Sequence, residues 1–263
     1  MSRTLKSLSS SLLLTLILAS CGGGDGASSP PPSVPTPVPT PSSPKAQTMS
    51  GVVRNSAGQP LAGATVFAGH TVLFNVNALT TSGADGSYSV SVAQPAGSWY
   101  AGAQIKRRYN GADYTFDLQP DKTDPFPGTQ GAIRDFSWKL TGTRPDGGKY
   151  GATLTVYADF FDPELLDWIP DMEVTLIPDG PLIDGSVGQT IRRRLIQTPD
   201  GQEGLMDIPL GTYVIRARYA PAGGAARDLS IRLRNTGDFA TSVVSAFRQK
   251  GSDQLLEVEV SRQ

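Results

Sequence analysis

The sequence predicts an all-β protein whose folded part consists of two tandem β-sandwiches. Glycine and proline are abundant, at 29 and 21 of 263 residues, which is typical of a chain with many turns. Short runs alternate apolar and polar residues at a period of two, the pattern of half-buried strands. No long amphipathic helical pattern interrupts these runs. Together these observations indicate stacked β-sheets.

Residues 1–20 have the order of a secretory signal peptide. Arg3 and Lys6 form a basic head, a mostly apolar block spans Leu12 to Leu18, and small residues precede Cys21. The block is shorter than the roughly 20 apolar residues that a membrane-spanning helix needs. The tetrapeptide Leu18-Ala19-Ser20-Cys21 resembles a bacterial lipobox. The resemblance implies that signal peptidase II cuts before Cys21 and that Cys21 carries the lipid.

The expected location is therefore the bacterial cell envelope, with the protein bound to a membrane through lipidated Cys21. By resemblance to the enterobacterial sorting rule, Gly22 in place of an aspartate favours the outer membrane. Two or three acyl chains make a firm anchor. An ordinary cleaved signal followed by a stray cysteine is the alternative. Because Cys21 is the only cysteine, the folded part must be held together by its cores.

Residues 21–46 are predicted to form a disordered tether. Glycines dominate its first part and prolines its second, and almost nothing in it can be buried. The proline stretch is a semi-rigid spacer at ~3.1 Å per residue. This composition favours a segment that lifts the folded part off the membrane.

Residues 47–141 are the first predicted sandwich. A β-rich run reaches a turn at Asn55–Gly58, and a second strand follows around Val66. Asp85-Gly86 suits a tight turn that needs positive φ. Later strands place apolar residues on one face at Tyr88, Val90 and Val92 and again at Phe136, Trp138 and Leu140.

The first part of this region resembles the carboxypeptidase regulatory-like family. The family pattern is Gly-x-Val, then Gly-x-Pro-Leu-x-Gly-Ala-x-Val, and later Asp-Gly-x-Tyr. The matching residues are Gly51, Val53, Gly58, Pro60, Leu61, Gly63, Ala64, Val66, Asp85, Gly86 and Tyr88. The resemblance implies a transthyretin-like β-sandwich. It implies no catalytic residue, because the matched positions are turn glycines and core residues.

Residues 150–263 repeat the layout more weakly, after a junction at Arg144–Gly148. We therefore predict a second sandwich of similar, transthyretin-like class. Leu210-Gly211 resembles the turn that precedes the family's closing strand, and Gly211 is expected to hold a backbone angle that other residues resist. Apolar positions alternate at Leu154 and Val156, at Met172, Val174 and Leu176, at Tyr213, Ile215 and Ala217, at Leu229, Ile231 and Leu233, and at Leu256, Val258 and Val260.

The chemistry-bearing residues predict a protein that is not an enzyme and holds no cofactor or metal. His70 is the only histidine, lies at a strand end and is expected to be structural. Transthyretin-like hydroxyisourate hydrolases, intradiol dioxygenases and zinc peptidases all need more ligands or bases than one histidine supplies. The net charge of −1 at pH 7, which becomes more negative when Arg3 and Lys6 are removed, gives no support for nucleic-acid binding.

One cluster of acidic residues leaves two interpretations open. Carboxylates recur between Asp159 and Asp171, and calcium takes six to eight oxygen ligands. The favoured interpretation is local, because Asp162-Pro163-Glu164 resembles a helix N-cap, a proline at N1 and an acid in the first turn.

Two sets of residues are candidates for ligand binding. Trp99 and Tyr100 are adjacent aromatic residues on opposite faces of one strand, so one ring is expected to be exposed. Arg216, Arg218, Arg232 and Arg234 occupy the polar positions of two strands and could form one basic face. The predicted function is an envelope scaffold that binds a protein, with a carbohydrate-binding module as the alternative. Exposed coplanar rings would favour sugar, whereas an exposed apolar strand edge would favour a protein partner.

Overall fold

The computed structural model describes residues 43–251 and 253–262, which form an almost entirely β structure. The all-β prediction is confirmed. The predicted signal peptide and residues 21–42 of the predicted tether, with Cys21, lie outside the described residues. No helix in the described part of the chain is long and apolar enough to cross a membrane.

The first sandwich is built from strands between residues 48 and 137, which follow the predicted alternation. The strands are β1 (Thr48–Arg54), β2 (Thr65–His70), β3 (Asn77–Thr81), β4 (Ser87–Ser91), β5 (Ser98–Tyr109), β6 (Ala112–Asp117), β7 (Gln119–Pro120), β8 (Phe126–Pro127), β9 (Ala132–Ile133) and β10 (Phe136–Ser137).

These strands form two sheets. One has the order β4-β1-β10-β7 with β9 beside β1, and the other has the order β3-β2-β5-β6 with β8 beside β5. The sheets pack face to face around a shared apolar core. Phe116 from β6 contacts Trp138, which follows β10, at a ring distance of 5.4 Å. Trp138 is 2% exposed, so its predicted place in the core is confirmed.

The predicted tight turn before β4 is also confirmed. Gly86 has a φ of +75°, and the Asp85 carboxylate accepts hydrogen bonds from both the N–H and the hydroxyl of Ser87. A Cβ at Gly86 would lie 2.5 Å from the Val53 carbonyl oxygen. Only glycine satisfies both the backbone angle and the close approach.

The second sandwich occupies residues 152–261. Its elements are β11 (Ala152–Ala158), a 3₁₀ helix (Pro163–Asp171), β12 (Met172–Pro178), β13 (Ile191–Arg194), β14 (Ile196–Gln197), β15 (Glu203–Ile208), β16 (Thr212–Tyr219), β17 (Arg227–Leu233), β18 (Thr236–Ala240), β19 (Val243–Ala246), β20 (Arg248–Lys250) and β21 (Asp253–Ser261).

The two layers of this sandwich share one strand. The order is β13-β12-β16-β17-β21-β11-β15-β14, with β18, β19 and β20 beside β17, β16 and β21. The first half of β17 pairs with β16, where Leu229 faces Ala217, and its second half pairs with β21, where Ile231 faces Val260. One layer thus continues into the other along β17, and their inner faces enclose a single core.

The role expected for Gly211 is wrong, because this residue is not among those with positive φ. A Cβ there would instead lie 2.7 Å from the Leu182 side chain. The unusual backbone angle lies earlier, at Asp207, with a φ of +60°. Gly211 is therefore a packing contact and not a turn requirement.

The two sandwiches contact each other directly. The Tyr114 hydroxyl donates to the Phe247 carbonyl at 2.6 Å, and the Tyr109 hydroxyl donates to the Pro181 carbonyl at 2.9 Å. The Asp207 carboxylate accepts a hydrogen bond from the Gly142 N–H at 2.8 Å. The division into domains at 47–141 and 150–263 stays a prediction, for which a proteolysis test is given below.

Candidate functional site

The outer face of the first sandwich carries an apolar group built on glycines. In the pairing of β2 with β5, Phe67 faces Gly102 and Gly69 faces Tyr100. A Cβ at either glycine would lie 2.2 Å from the facing aromatic ring. Each ring therefore lies across the backbone of the neighbouring strand, in space that any side chain at the glycine would fill.

This apolar face, defined by Phe67, Leu79 and Tyr100, reaches the edge of its sheet. Leu79 lies on β3 opposite Phe67 and is 65% exposed, and Tyr100 is 43% exposed. The Phe67 and Tyr100 rings meet edge to face, with centroids 6.3 Å apart and planes at 85°. The strand β3 pairs with β2 on one side and, within the described residues, with no strand on the other.

Trp99 is not part of this surface, so its candidacy as a ligand platform is corrected. Successive strand residues point to opposite faces, and with Tyr100 outside, Trp99 points into the core. It is 1% exposed and meets the His70 ring edge to face at 5.2 Å. Of the two candidate rings, only that of Tyr100 can contact a ligand.

His70 holds the connection between β2 and β3. Its Nδ1 accepts hydrogen bonds from the backbone N–H groups of Val72 at 3.2 Å and Leu73 at 3.0 Å. Its Nε2 lies 3.3 Å from the Ala96 carbonyl oxygen. The bonding assigns the proton to Nε2, since Nδ1 acts as an acceptor. Both ring nitrogens are thus occupied by backbone groups.

The four candidate arginines do not form one face. Arg216 and Arg218 lie on β16, in the layer that contains β12, whereas Arg232 on β17 and Arg234 just after it lie beside β21 in the other layer. Arg232 pairs with Glu259 at 2.9 Å and Arg234 with Glu257 at 2.6 Å. The expectation of a common basic face is wrong because β17 passes between layers.

The structure groups Arg216 and Arg218 with two other arginines instead. Arg192 and Arg194 on β13, with Arg216 and Arg218 on β16, flank β12. We call these four residues the arginine face. In one cross-strand row Arg194 and Arg218 face Glu173, and in the next Arg192 and Arg216 face Thr175.

Two carboxylates offset part of this positive charge. Glu173 lies 2.9 Å from Arg218 and 3.1 Å from Arg192, and Asp171 lies 2.7 Å from Arg194. Arg216 is exposed, and no ion pair to it is found among the described residues. The alternation of Arg192 and Arg194 in the sequence predicts that both side chains share one face of a strand. The sequence does not show which strands lie beside that one, so it does not predict the group of four.

Two carboxylates of the acidic cluster are paired with Arg262. Asp162 accepts hydrogen bonds from Arg262 at 2.5 and 2.7 Å, and Glu164 accepts one at 2.7 Å. Arg262 holds the pKa of the Asp162 carboxyl below its ordinary value, mainly through these hydrogen bonds. Within the described residues, no group of three or more potential ligands is arranged to hold a metal.

The predicted N-cap is correct in position and wrong in bonding. Asp162 directly precedes a helix with Pro163 at its start, but the helix is 3₁₀ and the Asp162 side chain makes no capping hydrogen bond. The ion pair with Arg262 uses the carboxylate instead.

The chain matches no family model and no curated protein, and its similarity to solved structures is distant. The carboxypeptidase regulatory-like resemblance therefore has no support from a family model. Among solved structures, the chain is similar to the Bacillus anthracis TIE protein at 13% identity and a TM-score of 0.32, over 82% of this chain and 34% of that one. It thus spans about a third of the length of that protein.

Two further similar structures are pilus proteins. One is a C-terminal fragment of the pilus adhesin SpaC from Lactobacillus rhamnosus GG, at 15% identity and a TM-score of 0.27, over 82% of this chain and 98% of the fragment. The other is the major pilin T-13 of Streptococcus pyogenes, at 12% identity and a TM-score of 0.25, over 84% and 98%. TM-scores this low carry no argument about fold or function.

Proposed function

We propose that this protein is a non-enzymatic lipoprotein of the bacterial cell envelope, anchored through Cys21, whose first sandwich binds a protein partner. The observation that carries the proposal is the apolar face of Phe67, Leu79 and Tyr100 beside the edge strand β3. An exposed apolar group at a sheet edge offers both side-chain contacts and unpaired backbone groups to an incoming strand.

The ring geometry favours a protein over a sugar. A flat sugar ring stacks best on aromatic rings that share a plane, whereas Phe67 and Tyr100 stand at 85° to each other. Leu79, the most exposed member of the face, suits the side chains of a protein partner. The apolar face therefore matches a protein better than a glycan.

The non-enzymatic part of the proposal is supported by how the reactive groups are used. His70 is bonded to backbone groups through both ring nitrogens. Asp162 and Asp171 are paired with arginines. These groups would have to break structural contacts before they could act as a general base or a metal ligand.

A carbohydrate-binding module remains the second candidate, and the arginine face is the observation that favours it. Arg216 is exposed, with Arg192 and Arg218 beside it, so the face offers guanidinium groups to anionic sugars. Such binding would weaken with salt because the groups are solvent-exposed.

A photo-crosslinking amino acid placed at Leu79 in cells that express the full chain tests the proposal. Val244 is the matched control, because it is also an exposed apolar strand residue, 53% exposed, in the second sandwich. We expect one discrete protein adduct at position 79, none at position 244, and loss of the adduct when Tyr100→Ala is added.

Glycan binding without a protein adduct would contradict the proposal that the first sandwich binds a protein. If position 79 gives no adduct, and the purified chain binds glycans in a manner lost on Arg216→Ala or Tyr100→Ala, the carbohydrate module is the better description.

Intact mass of the native protein tests the anchor separately, since a chain that starts at diacylated Cys21 is expected. A soluble mature form that begins elsewhere would remove the anchor from the proposal.

A further inference from the structure

The loop between β2 and β3 exposes three successive apolar side chains. Val72, Leu73 and Phe74 are 82%, 44% and 99% exposed, and we call them the apolar tip. We infer that the apolar tip enters the interface of the lipid bilayer to which Cys21 is anchored. The inference rests on the proposed anchoring, but it concerns a different surface from the protein-binding face.

The apolar tip lies at the end of the first sandwich where the chain arrives from Cys21. The Gln47 N–H donates to the Gly128 carbonyl at 3.1 Å, and the Gly128 N–H donates to the Gly97 carbonyl at 2.8 Å. At the next residue, the Ser98 carbonyl accepts the Thr71 N–H at 3.0 Å. These bonds connect the start of the folded part to the base of the tip, so both lie at the same end of the first sandwich.

The second sandwich lies at the opposite end. The strand β5 begins at Ser98, below the tip, and ends at Tyr109, whose hydroxyl donates to the Pro181 carbonyl. At that end Asn110 also donates to the Thr212 hydroxyl at 2.5 Å, and Ser56 bonds Asp184. The tip can therefore reach a membrane surface without obstruction from the second sandwich.

The charges at the tip's end suit a membrane. Four segments form this end, residues 43–47, 71–76, 93–97 and 127–131, and across them Lys45 is the only charged residue. Without carboxylates, the end meets no repulsion from anionic headgroups, and Lys45 is attracted to them. A surface made for water ordinarily mixes both signs of charge.

Two backbone N–H groups of the tip, and the one that precedes them, already have hydrogen-bond partners. The N–H groups of Val72 and Leu73 donate to His70 Nδ1, and the Thr71 N–H donates to Ser98. Backbone donors that are already paired need no water when they enter the interface. His70, which is 9% exposed, thus acts as a positioning residue that presents the side chains of the tip outward.

The predicted tether limits how far the folded part can move from the membrane. With Cys21 in the membrane, the folded part stays within one tether length of the surface, and the glycine-rich first part allows it to approach, so that even a weak apolar contact is favoured by a high effective concentration. Three apolar side chains are enough for shallow interfacial binding, not for spanning.

A fluorophore at position 74 tests the inference in the full mature chain lipidated at Cys21. Phe74→Cys supplies the only free thiol for an environment-sensitive label, and Ala57→Cys, an exposed turn position at the opposite end, is the matched control. On vesicles of phosphatidylethanolamine and phosphatidylglycerol, the label at 74 is expected to shift to shorter wavelength and to be quenched by nitroxide lipids. The label at 57 is expected to do neither.

The outcomes separate this inference from the anchor. Vesicle-bound protein whose label at 74 behaves like that at 57 overturns the inference and leaves the anchor intact. If the native chain proves not to be lipidated, the anchor fails, and residues 21–263 with Cys21→Ser, which lack the apolar signal block, still test the tip through their own vesicle binding. A label that is shielded only by a protein in cells, and never by vesicles, also overturns the inference.

A second pair of variants, without a label, tests the tip by co-sedimentation with vesicles. In the mature chain, residues 21–263, with Cys21→Ser, Phe74→Ser should reduce co-sedimentation with these vesicles by roughly tenfold, whereas Phe74→Leu should largely keep it. The circular dichroism spectrum should stay unchanged for both, because the side chain is 99% exposed. Equal co-sedimentation of wild type and Phe74→Ser would contradict a role for the tip.

Discussion

In the first sandwich the outer positions of β2 and β5 include two facing pairs of an aromatic residue and a glycine, whereas in the second those of β12 and β16 include two arginines that face a threonine and a glutamate. The inner positions of both sandwiches are alike, with buried apolar residues at alternate places. The alternation therefore specifies the strands, and the outer residues alone distinguish the surfaces.

The two sandwiches also close differently. The first has two separate sheets, whereas the second has two layers joined along β17. A strand that belongs to both layers links their stability, because its loss would unpair β16 and β21 together. We expect the second sandwich to unfold as one unit, while local changes in the first can be confined to one sheet.

The largest expected effect is at a glycine of the first sandwich. Gly86→Ala combines a positive φ with a Cβ 2.5 Å from the Val53 carbonyl oxygen, so it should lower the free energy of unfolding by about 3 kcal/mol. Gly58→Ala is the matched control, with a φ of +78° and nothing within 4 Å, and should cost about 1 kcal/mol. Urea titrations measure both, and equal losses would contradict the close approach.

The next effect concerns the bond between the sandwiches. Tyr114→Phe leaves the Phe247 carbonyl without its donor and should cost about 1–2 kcal/mol. Tyr88→Phe removes a comparable bond to the Arg134 carbonyl inside the first sandwich. Calorimetry should show the first change separating the transitions of the two halves and the second only shifting one of them.

Limited proteolysis of the same variants tests the predicted division of the chain. If residues 47–141 and 150–263 are domains, cleavage falls within residues 22–46 first and near 141–150 next, and Tyr114→Phe accelerates the second cut. Fragments that cannot be separated into two folded parts would reject the division.

A third effect appears at alkaline pH. Burial raises the pKa of Tyr213 from 10.0 to about 12, and its hydroxyl donates to the Pro209 carbonyl at 2.7 Å. Because the folded-state pKa is the higher one, this contribution is fully present below pH 10 and is lost as the pH rises towards 12. Tyr213→Phe should make stability less dependent on pH in that range, as followed by circular dichroism, and an unchanged profile would count against it.

The smallest effect lies on the arginine face. Arg218→Ala breaks an ion pair with Glu173 that is shielded on the glutamate side and should cost roughly 0.5–1 kcal/mol. Arg216→Ala should change stability by less than about 0.5 kcal/mol, because Arg216 is exposed. Thermal denaturation of the two variants tests this order, and a larger loss for Arg216→Ala would show that it has a structural role.

Several features of the fold could be predicted because their causes are local. The Asp85-Gly86 turn depends on residues next to each other, and the alternation of Trp138 with its neighbours predicts its place in the core. The expectation for Gly211 is wrong because its constraint is the side chain of Leu182, which is distant in sequence. Likewise, the partner of Asp162 is Arg262, one hundred positions away.

The candidate binding surfaces show the same limit. That Trp99 and Tyr100 point to opposite sides follows from the strand period, but which of them faces water depends on the sheet that covers the other side. The partnership of Arg216 and Arg218 with Arg192 and Arg194 depends on the pairing of β12 with both β13 and β16. Gly69 and Gly102 lie beneath the Tyr100 and Phe67 rings only because β2 and β5 pair in this register, which the sequence does not show.

The amino-acid order by itself determined the all-β class, the positions of most turns and the alternation of residues between the two faces of each strand. These depend on a period of two and on the backbone preferences of glycine, proline and aspartate, which act over a few residues. Only the tertiary structure decided that β17 serves two layers, that the arginines divide between them, and that the apolar tip shares an end with the arriving chain. These arrangements are set by which strands pair and in what register, a choice made by packing between residues far apart in sequence.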